Sequence, residues 1–323
     1  MQEAQVLKDW YLENQRPLPW RMNRDPYRIW ISEMMLQQTT VAAVMPFYER
    51  FMKKFPTVQI LQKAPLAHVL EMWAGLGYYS RARNIHKSAQ VLGLQGFPKN
   101  HKELIELPGF GPYTARAVSS LAFGEKVGVV DGNVIRVLSR YYGLAGPWWT
   151  TAERNIYQTK IDAWVEKEDP SLINQAVMDL GATICTPQSP ACLLCPLSKK
   201  CVARLTQKIS ELPVKKPKKD SEVWMWDVDL HLRGSKIGLV KNDYLPFLKG
   251  QMIFPGTALK MKKKPKIYDI KHGITHHDIF VRVKKAGSGT GHKVKWINTN
   301  ELQQINPSSL LQKIIDFQNS SLS

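Results

Sequence analysis

The spacing of apolar residues changes near residue 210. Before that point apolar side chains recur at helical intervals, as where Trp30 and Met34 lie four residues apart. After it, short β-branched and aromatic runs such as VWMWDVDLHL and DIFVRVKK alternate with Gly, Pro and Asn, and SLLQKIIDF predicts one terminal helix. The chain is therefore predicted to be multidomain, with an all-α domain over residues 1–210 and a small α+β domain over residues 222–323.

The stretch between the two patterns is basic. Residues 211–221 contain two prolines and four lysines, which predicts a solvated linker. The whole chain has 45 Lys+Arg and 27 Asp+Glu residues, for a net charge of +18. Residues 211–323 carry +10 and residues 1–210 carry +8, so both halves favour a polyanionic partner.

Nucleic acid fits this charge better than a membrane does. The sequence contains no apolar run near the roughly 18 residues of a transmembrane helix, and no basic amphipathic helix stands out. The N-terminal segment has acids early and lacks the pattern of a signal or transit peptide. We therefore expect a cytoplasmic protein with reduced cysteines and no membrane contact.

All four cysteines of the chain fall in one window. Cys185, Cys192, Cys195 and Cys201 have the spacing C-x6-C-x2-C-x5-C. In a cytosolic protein such a group indicates a metal site rather than two disulfides. An iron-sulfur cluster accepts four thiolates on loops of unequal length, whereas structural zinc favours two close pairs. The spacing favours iron-sulfur and leaves zinc, or a reactive thiol, as an alternative.

The segment LPGFGPYTA, residues 107–115, predicts a tight turn between two helices. Gly109 and Gly111 allow positive φ and close backbone approach, and the second helix is expected to begin near Pro112. Free N–H groups at a helix start bind phosphate well. The alternative is an ordinary helix-turn-helix corner with no ligand.

Two carboxylates occupy unusual positions. Glu33 lies inside a nearly continuous apolar helical stretch, and Asp131 stands directly before a predicted helix. A buried acid with a raised pKa can donate a proton while a second, ionised acid stabilises a sugar cation. The alternatives are an ion pair between Glu33 and a nearby arginine, and a helix N-cap at Asp131.

Taken together, these features resemble the helix-hairpin-helix DNA glycosylases and, within them, the MutY adenine glycosylases. The resemblance covers residues 10 to 205. It rests on LPWR (18–21), SEMMLQQT (32–39), WAGLGYYSRARN (73–84), LPGFGPYTA (107–115), VDGNVIRVLSR (130–140) and NQAVMDLGATIC (174–185).

The resemblance implies an organisation and a set of partners. It predicts a six-helix barrel over about 22–126, and an iron-sulfur subdomain built from about 1–21 together with 127–206. One 4Fe-4S cluster would be held by the four cysteines, and Lys199, Lys200 and Arg204 would meet DNA phosphate beside it. The expected partner is double-stranded DNA containing an adenine mispair, bound by a monomer.

The same resemblance implies roles for the catalytic residues. Glu33 matches the acid that protonates adenine and later assists water, Asp131 matches the carboxylate that stabilises the sugar cation, and Asn133 assists it. Tyr113 stands where related bifunctional glycosylases have a lysine, so no amine nucleophile is available there. The implied activity is monofunctional removal of adenine opposite 8-oxoguanine or guanine, which leaves an abasic site.

Further positions match the family's contacts with adenine and DNA. Gln37 and Tyr78 match residues that enter the base stack once the adenine has left it. The residues that match the adenine pocket are Arg16, Leu18, Trp20, Arg21 and Gln175.

The C-terminal region resembles the family's MutT-like, or Nudix-like, domain, which recognises 8-oxoguanine. Its recognition loop corresponds to Ile274, Thr275 and His276, which keep a hydroxyl and an imidazole but lack the family's aromatic residue. No acidic Nudix helix is present, so pyrophosphate hydrolysis is not expected. Two other functions stay open, a pyrimidine or thymine mismatch glycosylase of the same fold and a non-catalytic mismatch-binding protein.

Overall fold

The structure is a computed structural model that describes residues 2–37, 39–217, 220–285, 293–306 and 308–320. The chain divides into two compact units, Met1–Pro217 and Lys218–Ser323. Within the predicted linker, Lys218 and Lys219 lie outside the described residues. The preceding residues pack on the first unit, since Leu212 is only 6% exposed and Trp148 Nε1 donates to the carbonyl of Val214.

The described part of the first unit is helical. Most helices begin at a side chain that caps the free N–H groups of the first turn, for example Asp25, Thr40 and Asp169. The α-helices are α1 (Gln2–Asn14), α2 (Pro26–Leu36), α3 (Val41–Lys54), α4 (Val58–Lys63), α5 (Leu66–Trp73), α6 (Tyr79–Gln95), α7 (His101–Leu104), α8 (Pro112–Phe123), α9 (Gly132–Tyr142), α10 (Thr151–Val165), α11 (Pro170–Thr183) and α12 (Val202–Leu205).

Two apolar cores support this unit. The first gathers residues of α2 to α8 around Trp30, which stacks on Phe110 with ring centroids 5.3 Å apart. The second combines α1 with α9, α10 and α11, where Leu7 and Tyr157 are fully buried. The N-terminal helix therefore packs against helices more than a hundred residues later.

The described part of the second unit combines strands with two α-helices. Its strands are β1 (Glu222–Leu230), β2 (Leu232–Arg233), β3 (Lys236–Lys241), β4 (Met252–Ile253), β5 (Gly256–Met261), β6 (Ile270–Ile274), β7 (His277–Lys285) and β8 (Lys295–Asn298). Its helices are α13 (Leu302–Ile305) and α14 (Ser309–Ser320). The prediction of a helical domain followed by a smaller sheet-containing domain is confirmed.

Two small sheets form the second unit. One has the order β5-β1-β7-β6, in which β1 and β7 run parallel and place Glu222 opposite His277. The other has the order β2-β3-β4, with β8 also paired to β3. Their apolar side chains share one core with α14, which contributes Leu310 and Ile314.

Candidate active site

A cleft of about 1240 Å³ opens in the first unit, between elements of both apolar cores. Its walls come from the segment before α2, from α2 itself, from the turn before α8, and from the starts of α9 and α11. Most of the residues predicted from the sequence line it, namely Arg16, Leu18, Trp20, Arg21, Glu33, Gln37, Gly109, Gly111, Tyr113, Asp131, Asn133 and Gln175.

Glu33, a residue of α2, is buried, with 5% of its surface exposed. The Tyr113 hydroxyl donates a hydrogen bond of 2.7 Å to Glu33 Oε2. Burial raises the pKa of Glu33 to about 7, and the charge of Asp131 adds to this rise against the effects of Tyr113 and Arg21. The carboxyl therefore holds a proton close to neutral pH.

Asp131 caps a helix and also faces the cleft. It is the N-cap of α9, where its Oδ1 accepts from the Val134 N–H at 2.7 Å, and it also lines the cleft. The Asn133 side-chain amide donates to Asp131 Oδ2 at 2.8 Å. Burial raises the pKa of Asp131, while these donors and the charge of Arg136 favour its ionised form.

The turn before α8 places Tyr113 above Glu33. Gly109 has φ of +84°, and a Cβ there would lie 2.7 Å from the Asn84 Cβ, so this position requires glycine. Gly111 caps α8 with φ of −83° and has open space around it. The positive φ that glycine allows is used at Gly109, whereas extended backbone at Gly111 starts the helix.

The predicted pocket arginines are already paired. Arg21 donates two hydrogen bonds to Asp179, at 2.7 and 2.9 Å, and Arg16 Nε donates a third at 2.9 Å. Asp179 is 1% exposed, and because both guanidinium groups stabilise its charge, its pKa is lowered despite burial. The arginines therefore shape the cleft wall through a buried carboxylate.

Other pocket residues are held by neighbouring groups. Trp20 packs edge-on against Tyr48 at 5.0 Å between ring centroids. Leu18 is 6% exposed, and Gln175 Nε2 donates to the carbonyl and hydroxyl of Ser171. These side chains give the cleft an apolar wall with one amide.

The two residues matched to base-stack positions are linked by an arginine. Arg81 donates to the carbonyl of Gln37 at 2.7 Å, and its guanidinium lies 4.5 Å from the centre of the Tyr78 ring. Tyr78 has φ of 48° and 57% of its surface exposed, and it lies outside the lining of the cleft. Gln37 lines the cleft and donates to the Thr114 hydroxyl at 3.3 Å.

The four cysteines are free and line one small cavity. Four thiols around one cavity fit a group with four thiolate ligands, such as an iron-sulfur cluster.

Basic residues surround this cavity. Arg140 is 3% exposed and donates to the sulfur of Cys185 at 3.4 Å and to the carbonyl of Thr186 at 2.7 Å. Lys199 and Lys200 are exposed. Arg204, a third residue expected to meet phosphate, lines the cavity and donates to the carbonyl of Ser198 at 3.2 Å.

Sequence reasoning missed two residues of the site. Asp179 lies in an apolar helical stretch, so the signal that singled out Glu33 could also have found it. Arg136 donates to the Asn133 side chain at 2.8 Å and to the carbonyl of Cys185 at 2.7 Å. It thus joins the neighbourhood of Asp131 to the cysteine loop, and no local pattern marks that contact.

Thr275 and His276 lie in the second unit, in the turn between β6 and β7. Thr275 has φ of 54°, and its hydroxyl donates to the carbonyl of Ile274 at 2.7 Å. The ring of His276 lies 4.0 Å from that of His277.

The helical frame, the turn before α8 and the buried carboxyl define a class of protein. Residues 31–156 match the HhH-GPD superfamily of base excision DNA repair proteins. The structure is similar to that of a thermostable thymine-DNA glycosylase, with a TM-score of 0.57 and 31% identity over 63% of this chain and 95% of that one. It is also similar to endonuclease III in a non-covalent DNA complex, with a TM-score of 0.51 and 26% identity over 63% and 94% of the two chains.

Similar proteins that share a more specific activity identify the family within this superfamily. The adenine DNA glycosylase of Buchnera aphidicola subsp. Acyrthosiphon pisum is 34% identical over 97% of this chain and 96% of its own. The adenine DNA glycosylase of Homo sapiens is 44% identical over 61% of this chain and 38% of its own. The chain belongs to the adenine DNA glycosylase family, whose members are base excision repair enzymes that hydrolyse N-glycosyl bonds. In its described residues, no helix has the length and apolarity needed to cross a bilayer.

Proposed function

We propose that the protein removes adenine mispaired with 8-oxoguanine or guanine in double-stranded DNA and leaves an abasic site. The observation that carries this proposal is the buried Glu33 carboxyl, whose pKa is raised to about 7. Tyr113 hydrogen-bonds to it, and Asp131 lines the same cleft. A protonated carboxyl beside a second carboxyl that accepts hydrogen bonds suits cleavage of a glycosidic bond.

In the proposed mechanism the adenine leaves the duplex and enters the cleft. Glu33 donates its proton to the base, so that the leaving group departs as a neutral purine. The C1′–N9 bonding electrons go to the base, and the ionised Asp131, oriented by Asn133, stabilises the positive charge left on the sugar. Glu33, now a carboxylate, takes a proton from the attacking water and regains its acid form.

The reaction would stop at the abasic site. A lyase step needs an amine that forms a Schiff base with the sugar. Tyr113 brings a phenol to this part of the cleft, and its hydroxyl is engaged with Glu33. Strand cleavage is therefore not part of the proposed activity.

The remaining cleft residues would hold the base and the backbone. Leu18, Trp20 and Gln175 would form the adenine pocket, with Arg16 and Arg21 maintaining its wall through Asp179. The turn of Gly109 and Gly111, at the start of α8, would contact a DNA phosphate through backbone N–H groups. Gln37 and Tyr78 would enter the base stack after the adenine has left it.

A 4Fe-4S cluster held by Cys185, Cys192, Cys195 and Cys201 would brace the loop beyond α11. The spacing of the four cysteines along the chain and their place around one cavity support this cluster. Such a cluster would supply rigidity to the loop. Lys199 and Lys200 would then approach phosphates, an electrostatic contact that is independent of DNA sequence.

The second unit would act as a MutT-like reader of 8-oxoguanine through Thr275 and His276. Its sheets and its resemblance in sequence support this role, and the charge of +10 on residues 211–323 favours DNA. We also propose that the protein acts as a monomer, with the glycosylase domain at 1–210, a linker at 211–221 and the reader domain at 222–323.

A single-turnover assay across opposing bases tests the proposal. Duplexes with adenine opposite 8-oxoguanine, guanine or thymine would be incubated with the full-length protein, and abasic sites revealed with alkali. We expect product from the first two duplexes and little from the third. Omitting alkali tests for strand cleavage, which should be weak.

The alternatives give different outcomes in the same assay. Release of thymine from a G·T mispair, without release of adenine, would support a thymine glycosylase, the activity named for the similar structure described above. Tight binding without any product would support a mismatch-binding protein. Either result would overturn the proposed function.

A further inference from the structure

Outside the cleft, three potential metal ligands meet in the second unit. One ligand atom from each of Glu222, His276 and His277 lies within 4.8 Å of the other two. Parallel pairing of β1 with β7 places Glu222 opposite His277, and the Glu222 N–H donates to the carbonyl of His276 at 2.8 Å. Backbone hydrogen bonds thus hold together residues more than fifty positions apart.

We propose that Glu222, His276 and His277 form a binding site for a divalent transition-metal ion of the zinc type. Two imidazole nitrogens and one carboxylate oxygen are a common donor set for Zn²⁺, with the remaining position left to water. The site goes beyond the proposed adenine chemistry, because it lies in the other unit and needs no DNA, and it shares His276 with the proposed reader of 8-oxoguanine.

His277 presents a buried ring to Glu222. The residue is 7% exposed, and its Nε2 lies 3.5 Å from Glu222 Oε2. Because pairing of β1 with β7 fixes the two residues opposite each other, an ion bound by Glu222 would meet Nε2 with little rearrangement.

The two oxygens of Glu222 have separate partners. Oε1 accepts from Lys260 Nζ at 2.6 Å, while Oε2 accepts from Trp224 Nε1 at 3.0 Å and faces His277. A carboxylate oxygen has a second lone pair, so Oε2 can bind an ion without losing the indole contact. Lys260, by contrast, competes electrostatically with any cation at this position.

The three ligand atoms would need to move only slightly closer together to coordinate one ion. Ligand atoms around a tetrahedral Zn²⁺ lie about 3.4 Å apart, because each bond is about 2.1 Å long. His276 belongs to the turn between β6 and β7 and is half-buried, so its ring can rotate toward the other two.

Isothermal titration of the full-length holoprotein with Zn²⁺ tests the site. We expect one equivalent to bind, and we expect Glu222→Gln, His276→Ala and His277→Ala each to weaken binding at least about tenfold, since even outer-shell changes have effects of that size. The matched control is His272→Ala, which removes a histidine of the same hairpin that is not among the three ligands.

A variant that binds Zn²⁺ more tightly than wild type would show that the weaker binding of the other variants is not caused by misfolding. Lys260→Gln removes the competing ammonium from an exposed position, so Zn²⁺ should bind more tightly than in wild type. Zn²⁺ should also slow amide hydrogen exchange in the turn at residues 274–277. Absence of Zn²⁺ binding in wild type, or equal binding by Glu222→Gln, His276→Ala and the His272 control, would overturn the site. None of these measurements depends on adenine excision.

Discussion

Two buried acids in the helical unit have opposite electrostatic states. Glu33 on α2 and Asp179 on α11 both lie in apolar helical stretches, and both are at most 5% exposed. The pKa of Glu33 is raised to about 7, whereas that of Asp179 is lowered. The comparison shows that burial alone does not set the charge of a carboxyl group, because the partners of the group can reverse its effect.

The partners explain the difference. Both terminal nitrogens of Arg21 donate hydrogen bonds to Asp179, and Arg16 donates a further one from its own guanidinium. Glu33 receives only the phenol of Tyr113, and within the described residues it has no ion pair. Asp179 is thereby kept as a structural anion, whereas Glu33 holds its proton close to neutral pH.

The largest expected effect is on catalysis at Glu33. The substitution Glu33→Gln removes the transferable proton, so adenine excision should slow by about 100- to 10,000-fold. Single-turnover kinetics on an adenine·8-oxoguanine duplex measure this change. Glu49→Gln, at an exposed position on α3, should leave the rate unaltered. A Glu33→Gln rate close to that of this control would remove Glu33 from the chemistry.

Asp179→Asn should reduce stability more than any surface charge change. It leaves two arginines without their buried anion, and breaking such a pair costs about 3 kcal/mol of unfolding free energy. Urea unfolding measures the loss. The control, Glu166→Gln, breaks an exposed pair with Lys126 and should cost no more than about 1 kcal/mol. Equal losses in the two variants would mean that Asp179 is not a structural anion.

The two acids should also give opposite dependences of stability on pH. The raised pKa of Glu33, from 4.5 to about 7, makes its ionisation destabilise the folded state above pH 4.5, by about 3 kcal/mol once pH exceeds 7. Glu33→Gln should therefore gain stability relative to wild type between pH 5 and pH 8.

The corresponding difference for Asp179→Asn should stay constant over that range. The lowered pKa of Asp179 means that its contribution is present above 3.8 and is lost only as pH falls through the folded-state value. Urea titrations at the two pH values test both slopes. A constant difference for Glu33→Gln would show that the Glu33 carboxyl is not perturbed.

The smallest effect is expected from Tyr113→Phe. The Tyr113 hydroxyl lowers the pKa of Glu33, so its removal should raise that pKa further and move the alkaline fall in excision rate to higher pH. Rate–pH profiles measure the shift, with Tyr157→Phe, a buried tyrosine of the second core, as the control. A shift to lower pH would mean that Tyr113 stabilises the protonated form of Glu33.

Much of the fold could be predicted from the local spacing of apolar residues. Helical spacing before residue 210 and alternation after it predict the helical and sheet-containing units, because both signals depend on residues only a few positions apart. The cysteine spacing and the isolated acid at Glu33 identified candidate positions in the same way. The turn at Gly109 was predicted by its glycine, although the backbone at Gly111 proved extended.

Contacts between residues that are distant in the sequence could not be predicted from it. The sequence alone determined which residues could carry chemistry, such as a carboxyl in an apolar helix and four clustered thiols. Only the tertiary structure decided that Arg16 and Arg21 pair with Asp179, while Glu33 hydrogen-bonds to Tyr113. It also decided that the pairing of two strands places Glu222 opposite His277. The physical reason is that composition and spacing act locally, whereas the charge of a buried group depends on partners that only folding brings within a few ångströms.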